Sequence, residues 1–398
     1  MIYRSDWFAD PIWLLALTCA ALACVGVVQV IVGLVLVRRF ADAGKLAPAR
    51  SFEPVTVLKP LFGAEPLLED ALASFCQLGH APLQIVFGVR DADDLAIAVA
   101  RRVMARFPDR DIALVVDPTP HGRNRKVANL INMARHARYD VLLISDSDVH
   151  VAPDTIARLL DALDQPGVGL VTAPYGGRPA TDTVAAHLGV SGIGHGFLPG
   201  TLMARALGRR DCLGATMAIR RSTLDAAGGL PALSRHVADD HMLGLLVQRL
   251  GLDVAMARCV PVTTVAETSL RELFRHELRW SRTIASFVPL KFAASAVQYP
   301  IAWALLAFAA TGFGFTGLTL VAAVWLARAV AAVAIDRMLA LTSYRVALLL
   351  LPLRDVLSLA VVVATFAGTE IKWRGEVMHV RRTSLSTLDT LPIGNEPR

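Results

Sequence analysis

The sequence predicts an α/β fold: one domain with a mostly parallel central sheet, plus N- and C-terminal transmembrane helices. Three observations support this prediction. Short apolar runs alternate with segments of helical period between residues 55 and 250, polar or acidic clusters follow several of these runs, and long uncharged stretches flank the alternating region. Alternating strands and helices with short connections favour a parallel sheet, and such sheets bind ligands beyond the carboxyl ends of their strands.

Residues 1–40 are predicted to form a membrane anchor. No charged residue occurs from Ile12 to Val37, and ~20 apolar residues are enough to cross a bilayer. A cleaved signal peptide is the alternative, but this run is longer and lacks a small-residue cleavage site, which favours a retained anchor. Arg38 and Arg39 precede a Gly/Pro/Ala-rich linker at residues 41–54, and their position places the following domain in the cytoplasm.

The predicted domain spans residues 55–268. Its expected strands are residues 55–58, 83–89, 112–116, 141–144, 168–173 and 212–219. Its expected helices are residues 67–77, 95–107, the later part of 121–136, 153–163 and 242–250. Acidic or polar clusters fall at three successive strand ends, and this coincidence indicates a ligand site more strongly than any single cluster does.

The central apolar run, residues 141–144, ends in Ser145-Asp146-Ser147-Asp148. Carboxylates two residues apart at a strand end can converge on one hard divalent cation, which makes this loop a candidate site for a metal and a nucleotide diphosphate. Taken alone, such a pair of acids more often belongs to an ordinary solvated turn than to a metal site. The other clusters therefore decide the interpretation.

Two further segments allow more than one interpretation. Residues 185–207 are apolar and glycine-rich, and they form either a buried helix pair or a surface against the membrane that admits an apolar substrate. Asp239 and Asp240 precede the helix expected at 242–250. They serve either as helix-terminal acids that complement the macrodipole or in catalysis.

Residues 269–298 are predicted to be amphipathic and interfacial. Over residues 270–284, apolar side chains share one helical face and arginines form a ridge on another. His276, Arg279 and Trp280 are spaced i, i+3 and i+4, so they meet on one surface. Binding to lipid headgroups is the simplest explanation of the arginines. Arg279 can also bind a diphosphate through its paired guanidinium N–H donors, with the aromatic ring of Trp280 packed beside the bound group.

The C-terminal region, residues 299–370, is predicted to contain two or three membrane spans. One run covers residues 301–335 and another covers 346–366, where Arg354 and Asp355 interrupt it. Charges inside such a run are costly, so this pair is mutually neutralised, interfacial or functional. Residues 371–398 are assigned to a tail that is disordered after Thr383.

Composition supports a membrane protein. Hydrophobic residues make up 54% of the chain, above the ~45–50% of soluble domains. The five cysteines lack the spacing of a zinc site or a disulfide framework. The net charge of +6 comes with basic residues that lie beside hydrophobic segments, which favours a cytoplasmic face against anionic lipid over a nucleic-acid partner.

The order of these clusters resembles the inverting, family 2-type glycosyltransferases, and more narrowly the ceramide glucosyltransferase branch, which in bacteria includes hopanoid-biosynthesis-associated glycosyltransferases. The resemblance covers nearly the whole chain. It is carried by residues 58–65 (LKPLFGAE), Asp91, 124–129 (NRKVAN), Asp146/Asp148, Asp239-Asp240, 276–280 (HELRW) and the closing segment 354–375. It implies a nucleotide-binding, GT-A-like domain.

The resemblance also implies roles for individual residues on the donor side. Asp91 accepts a hydrogen bond from the uracil or ribose of a UDP-sugar. Asp146 and Asp148 direct Mg²⁺ or Mn²⁺ to the diphosphate. The remaining donor-binding residues are Glu65, Lys126 and Asn129, which help to frame the nucleotide, and His276, Arg279 and Trp280, which close on the diphosphate.

On the acceptor side, the resemblance makes Asp240 the general base, and His195 and Cys212 line the site. His276 departs from the Gln or Arg usual at its position, which argues mildly against a processive polysaccharide synthase. The expected enzyme moves glucose or N-acetylglucosamine from a UDP donor to a lipid hydroxyl at a bacterial inner membrane. Ceramide is the expected acceptor and a hopanoid, bacteriohopanetetrol, the alternative. A membrane protein that binds nucleotide-sugars or lipids without turnover is the alternative from another class.

Overall fold

The chain forms two compact units. The computed structural model describes residues 11–48, 53–341, 348–368, 370–373 and 376–379. The α/β unit consists of the described parts of Phe40–Ala180 and Ala204–Ala266, and the helical unit of the described parts of Met1–Arg39, Thr181–Met203 and Glu267–Pro392. The predicted tail after Thr383 lies outside the described residues.

The α/β unit is built on a seven-stranded sheet. The strands of this unit are β1 (Val55–Pro60), β2 (Leu83–Val89), β3 (Asp111–Val116), β4 (Val141–Ser145), β5 (Val149–His150), β6 (Val168–Thr172), β7 (Gly176–Pro179), β8 (Thr216–Arg220), β9 (Asp253–Met256) and β10 (Val262–Val265). The sheet order is β3-β2-β1-β4-β8-β6-β9, and only β8 runs antiparallel to its neighbours. A smaller sheet has the order β5-β10-β7. The predicted α/β class with a mostly parallel central sheet is confirmed.

Helix α1 precedes these strands, and the other helices alternate with them or follow them. In chain order they are α1 (Pro11–Gly44), α2 (Leu68–Cys76), α3 (Ala96–Arg106), α4 (Arg125–Ala134), α5 (Thr155–Leu163), α6 (Val184–Gly192), α7 (Leu198–Ala206), α8 (Arg221–Ala226), α9 (Asp239–Arg249), α10 (Leu270–Phe287), α11 (Pro289–Ala294), α12 (Pro300–Ala310), α13 (Phe315–Leu339) and α14 (Leu351–Thr365). A π-helical turn, Ile193–Phe197, joins α6 to α7.

The core of the α/β unit surrounds the central strands. Every residue of β1, β2 and β4 is buried, so both faces of the sheet are covered there. Helix α5 shows how the covering helices pack: Ile156, Leu159, Leu160 and Leu163 are buried at the spacing of one helical face. The packed strands hold the loops that follow them in fixed positions.

The helical unit contains the apolar helices. Within the described residues, α1 and α13 are long and apolar enough to cross a membrane, and a third span results if Pro289–Gln298 and α12, bent by 70°, are counted as one. The prediction of apolar helices towards both ends of the chain is confirmed. A Cβ on Gly26 of α1 would lie 2.5 Å from the carbonyl oxygen of Val297. Only glycine therefore permits this close approach of α1 to the bend before α12.

The segment Thr181–Met203 belongs to the helical unit although strands of the α/β unit precede and follow it. It contains α6, the π-helical turn and the first part of α7. His187 and His195 are both buried. The segment is one continuous helical run, buried along α6 and half-exposed along much of α7, so it is not a separate helix pair. Whether it lies against a membrane stays a prediction.

Candidate active site

The carboxyl ends of β2, β1 and β4 lie along one edge of the central sheet because these strands are parallel neighbours. Asp91 follows β2, Glu65 follows β1, and Asp146 and Asp148 follow β4 in a loop, residues 146–148, that we call the acidic loop. Ligands of α/β sheets bind at such an edge. The structure therefore brings these four predicted acids to the same side of one sheet.

Hydrogen bonds hold the acidic loop on two sides. The backbone N–H of Thr264 in β10 donates to the carbonyl oxygen of Asp148 at 3.1 Å, and the Thr263 hydroxyl donates to the Asp148 carboxylate. On the other side, the Ser147 hydroxyl donates to the Glu65 carboxylate at 2.5 Å. Glu65 therefore contacts the loop that carries the paired acids.

Lys59 lies beneath the acidic loop, and sequence analysis did not assign it a role. It is a fully buried residue of β1. Its ammonium group donates to the carbonyl oxygens of Asp146 at 2.5 Å and Val149 at 3.2 Å, and lies 4.2 Å from the centre of the Phe75 ring. Burial lowers the pKa of Lys59 to about 7, against the opposing effect of Asp148 and other nearby carboxylates.

The start of α4 connects the acidic loop with the start of α9. Asn124 caps α4 by accepting the backbone N–H groups of Lys126 and Val127 at 3.0 and 3.1 Å, and its amide donates to Asp239 at 3.3 Å. Lys126 Nζ lies 2.6 Å from Asp146 Oδ1 and 3.8 Å from Asp239 Oδ2. Burial alone would lower the pKa of Lys126, but the carboxylates around it raise that pKa above its ordinary value.

Asp240 lies in the first turn of α9, together with Asp239. The N-cap residue is Ala238, so neither acid is the N-cap, although both complement the helix macrodipole. The Asp240 carboxylate accepts the backbone N–H of His241 at 2.8 Å. Burial and the charge of Asp239 raise the pKa of Asp240 to about 6. A carboxylate with this pKa is suited to accept a proton near neutral pH.

Cys212 and Gly214 lie beside α9. A Cβ on Gly214 would be 2.8 Å from Asp240 Oδ2, and a Cβ on Gly244 would be 3.0 Å from Cys212 Cβ. Burial and the nearby Asp240 raise the pKa of the Cys212 thiol well above its ordinary value, so this cysteine is a neutral, unreactive neighbour of the acid. Its acceptor-side role stays a prediction.

Tyr175 is a second residue that sequence analysis did not single out. It lies in the short connection between β6 and β7 and is partly buried. Burial raises the pKa of its hydroxyl, and the charges of Asp240, Asp146 and Asp148 raise it further. The contacts of Lys126 with both Asp146 and Asp239 place the acidic loop next to the start of α9.

Asp91 and Asn129 occupy different positions near the end of β2. Asp91 is exposed, and its carboxylate accepts the backbone N–H of Asp93 at 3.1 Å. Asn129 is buried in α4 and donates to the carbonyl oxygen of Gly88 at 2.8 Å. Asn129 therefore supports the strand that presents Asp91. The nucleotide-binding roles of both residues stay predictions.

His276, Arg279 and Trp280 belong to α10 in the helical unit. The rings of His276 and Trp280 make an edge-to-face contact with centroids 4.5 Å apart, as their spacing predicts. His276 Nδ1 also bonds to the carboxylate of Glu267, which precedes the helix. We refer to these three residues as the motif of α10.

His195 lies in the π-helical turn of the helical unit, whereas Cys212 belongs to the α/β unit. His195 Nε2 is 2.9 Å from Asp336 Oδ1, and its Nδ1 is 3.1 Å from the Ser191 hydroxyl. Both members of the His195–Asp336 pair are buried. The acceptor-side role of His195 stays a prediction.

The acidic loop fits a divalent cation that is held partly by substrate. Within the described ranges, no three His, Cys, Asp or Glu side chains form a complete metal cage. Mg²⁺ is usually bound by one or two carboxylates together with substrate phosphates, and carboxylates suit Mn²⁺ as well. Burial and the adjacent charge of Asp146 raise the pKa of Asp148, so the loop has negative charge that a cation would stabilise.

An α/β sheet with acids at its carboxyl edge, in a chain that also carries apolar helices, fits a membrane-linked glycosyltransferase. The chain belongs to Glycosyl transferase family 21, whose sequence profile matches residues 18–385. The family assignment bears out the resemblance seen in the sequence motifs. Together with the observed sheet, it confirms the GT-A-like α/β fold class.

Similar proteins include ceramide glucosyltransferases. Ceramide glucosyltransferase 1 of Caenorhabditis elegans is 24% identical over 251 residues, which cover 62% of this chain and 53% of the relative. The ceramide glucosyltransferase of Komagataella phaffii is 28% identical over 134 residues, which cover 33% of this chain and 26% of the relative. The match thus spans about half the length of the C. elegans relative and less of the yeast one.

Two solved structures are similar to the chain at a low level. A mannosyltransferase from Pyrobaculum calidifontis, in complex with GDP-Man and Mn²⁺, is 19% identical with a TM-score of 0.49, covering 88% of this chain and 98% of that chain. Glucosyl-3-phosphoglycerate synthase from Mycobacterium tuberculosis, in complex with Mg²⁺ and uridine-diphosphate, is 19% identical with a TM-score of 0.37. The match covers 62% of this chain and 81% of that chain. At this level of similarity, neither structure assigns a ligand or a residue role to the chain.

Proposed function

We propose that this protein is a membrane-bound enzyme that transfers a sugar from a UDP-sugar to a lipid hydroxyl, with inversion at the anomeric carbon. The observation that carries the proposal is Asp240, whose pKa is raised to about 6 by burial and by Asp239. It lies at the start of α9, where Lys126 contacts both Asp239 and Asp146 of the acidic loop. Such an acid is mostly ionised at neutral pH and can still take up a proton during reaction. Membership of a glycosyltransferase family supports this reaction class.

In the proposed mechanism, Asp240 removes the proton from the acceptor hydroxyl as its oxygen attacks the anomeric carbon from the face opposite UDP. Asp146 and Asp148 would hold Mg²⁺ or Mn²⁺, which when bound offsets the charge of the departing diphosphate. Lys126 keeps Asp146 oriented and adds positive charge on the same side. Asp91, exposed at the end of β2, hydrogen-bonds the uridine.

Other residues complete the proposed donor site. Glu65 orients the acidic loop through Ser147, and Asn129 supports the end of β2. Arg279, with His276 and Trp280, binds the diphosphate by charge-assisted hydrogen bonds. The motif of α10 also shapes the entrance for the acceptor.

We propose a sphingoid lipid such as ceramide as the acceptor, in a bacterial inner membrane with the catalytic domain, residues 55–268, in the cytoplasm. The similarity to ceramide glucosyltransferases supports this lipid, and the apolar helices α1 and α13 support a membrane-embedded acceptor. Arg38 and Arg39 directly after the apolar run support the cytoplasmic orientation.

Incubating full-length protein in nanodiscs with radiolabelled UDP-glucose or UDP-N-acetylglucosamine tests the proposal. Each donor is offered with ceramide or with bacteriohopanetetrol, and the lipid products are separated by thin-layer chromatography. We expect labelled glucosylceramide. Label on bacteriohopanetetrol alone would show that a hopanoid is the acceptor and would leave the proposed reaction class unchanged. UDP-sugar binding without any labelled lipid would instead indicate a protein that binds nucleotide-sugars without turnover.

A further inference from the structure

Buried ion pairs connect helices of the helical unit. Arg354 of α14 makes a two-pronged pair with Glu277 of α10, at 2.7 and 2.6 Å. Its chain neighbour Asp355 pairs with Arg328 of α13 at 2.8 Å. One alternative from the sequence was that Arg354 and Asp355 neutralise each other. This alternative is wrong, because each residue pairs with a different helix.

Arg354 connects three helices through one side chain. The side chain is 3% exposed. Besides Glu277, its guanidinium donates to the Leu188 carbonyl oxygen in α6 at 3.1 Å and to the Ser358 hydroxyl at 3.0 and 2.7 Å. Two parallel hydrogen bonds between a guanidinium and a carboxylate fix the planes of both groups, so the pair restricts rotation as well as distance.

Most side chains of α10 are half-buried or exposed. Of its 18 residues, only Leu273 and Ala285 are buried. Glu277 lies directly after His276 and three residues before Trp280, so it shares a surface with Trp280. A turn of α10 by one residue would rotate these side chains by about 100°. A fixed contact at Glu277 is therefore well placed to set the direction of the motif of α10.

We propose that Arg354 is a positioning residue that, through Glu277, sets the rotation of α10 and so directs His276, Arg279 and Trp280 for donor binding. This inference rests on the donor-binding role proposed above for those three residues. A buried ion pair contributes little net stability compared with apolar packing of the same volume. Its value at this position is the geometry that it imposes on α10, because two hydrogen bonds fix the direction of Glu277 beside the motif.

The test compares Arg354→Met and Glu277→Gln with Arg328→Met in full-length protein in nanodiscs. Arg328→Met breaks a neighbouring buried pair that does not involve α10, so it controls for general loss of stability. Equilibrium binding of UDP, the KM for the UDP-sugar and the melting temperature are measured for each. We expect Arg354→Met to raise the UDP Kd and the donor KM about tenfold, equivalent to about 1.4 kcal/mol. Arg328→Met should lower the melting temperature similarly and change the UDP Kd less than twofold.

A charge swap sharpens the test. Glu277→Arg combined with Arg354→Glu should recover part of the lost UDP affinity, because it restores an ion pair between the same two helices. Equal rises in UDP Kd for Arg354→Met and Arg328→Met would overturn the inference. If Arg354→Met fails to fold, Glu277→Gln, which keeps the side-chain shape, decides the question by the same measurements.

A further variant separates this inference from the proposed function. Arg279→Ala removes a motif side chain and leaves the Arg354–Glu277 pair intact. If Arg279→Ala leaves the UDP Kd and donor KM unchanged, the donor role of the motif is wrong and the positioning inference is overturned with it. If Arg279→Ala weakens donor binding but the folded Arg354 and Glu277 variants do not, the positioning inference alone is wrong.

Discussion

The charges at the edge of the α/β sheet are arranged differently from those inside the helical unit. At the sheet edge, two lysines are surrounded by a larger number of acids: Lys59 and Lys126 against Asp146, Asp148, Asp239 and Asp240. In the helical unit, Arg354 and Arg328 pair one to one with Glu277 and Asp355. Excess negative charge calls for a cation or a ligand, whereas a paired charge is already satisfied.

This difference in charge indicates different roles: the sheet edge is suited to catalysis, and the ion pairs of the helical unit are suited to positioning helices. At the sheet edge the pKa of Asp240 is raised to about 6 and that of Lys59 is lowered to about 7, and such shifts are typical of functional sites. The pairs of the helical unit connect α10 with α14 and α13 with α14. We therefore expect substitutions at the sheet edge to change turnover or metal use, and substitutions of the paired charges to change affinity or stability.

The largest expected effect tests Asp240 directly. Asp240→Asn keeps the shape of the side chain and removes its ability to take up a proton, so kcat should fall at least about 100-fold. UDP binding should stay within about threefold of wild type, measured by equilibrium titration. Asp91→Asn is the matched control and should raise the donor KM more than it lowers kcat. Loss of UDP binding and turnover together in Asp240→Asn would assign this acid to helix structure.

Metal removal should have the next largest effect. Chelation should stop transfer, and added Mg²⁺ or Mn²⁺ should restore it. Asp148→Asn should raise the Mn²⁺ concentration needed for half-maximal activity about 10- to 100-fold, because it removes one of two expected carboxylate ligands. Mn²⁺ binding in the presence of UDP, followed by electron paramagnetic resonance, gives a readout independent of turnover. Full activity after exhaustive chelation would contradict the metal role of the acidic loop.

The parts of the site that local patterns mark were predictable from the sequence. Buried strands appear as short apolar runs, and parallel strands place the residues after them at one edge, which located Asp91, Asp146 and Asp148. Glu65 was assigned only through the resemblance to the glycosyltransferase motifs. The start of α9 was placed at residue 242 and lies at Asp239. Apolar periodicity begins only at residue 242, while acids in a first helical turn are favoured by the macrodipole and carry no periodic signal.

The parts that depend on distant contacts were not predictable. Lys59 is 87 residues from Asp146, and Arg354 is 77 residues from Glu277. Neither local period nor composition encodes which of many possible partners a buried cation finds. Strands β5, β7, β9 and β10 have two to four residues each, too few for a period-two pattern to stand out.

The pH dependence of turnover should follow the pKa of Asp240. Because this pKa is raised to about 6, the acid is protonated and inactive as a base below that pH. We expect kcat/KM to fall about tenfold from pH 5.5 to pH 4.5, and to level off above about pH 7. Initial rates at constant ionic strength, on protein whose UDP binding is retained at each pH, give the profile. A flat profile between pH 5 and 7 would exclude Asp240 as the titrating base.

Lys59→Met should lower catalytic efficiency about fivefold without preventing folding. The substitution keeps an apolar stem inside β1 and removes the donor to the carbonyl oxygens of Asp146 and Val149. Leaving those acceptors without this bond costs about 1–3 kcal/mol. A mobile acidic loop should then raise the Mn²⁺ requirement more than the donor KM. Equal changes in both, or none, would show that Lys59 does not hold the loop for metal binding.

Gly214→Ala should have the smallest effect, and it probes how closely Asp240 must be placed. An added Cβ would lie 2.8 Å from Asp240 Oδ2 and 3.1 Å from its Cβ and Cγ, so the acid must shift by a few tenths of an ångström. A misplacement of 1 Å can cost about 10²-fold in rate, so this smaller shift should lower kcat about three- to fivefold. Gly79→Ala, where no atom lies within 4 Å of the new Cβ, is the control. If both variants turn over at the wild-type rate, catalysis tolerates a small movement of Asp240, and close packing around this acid is not required for turnover.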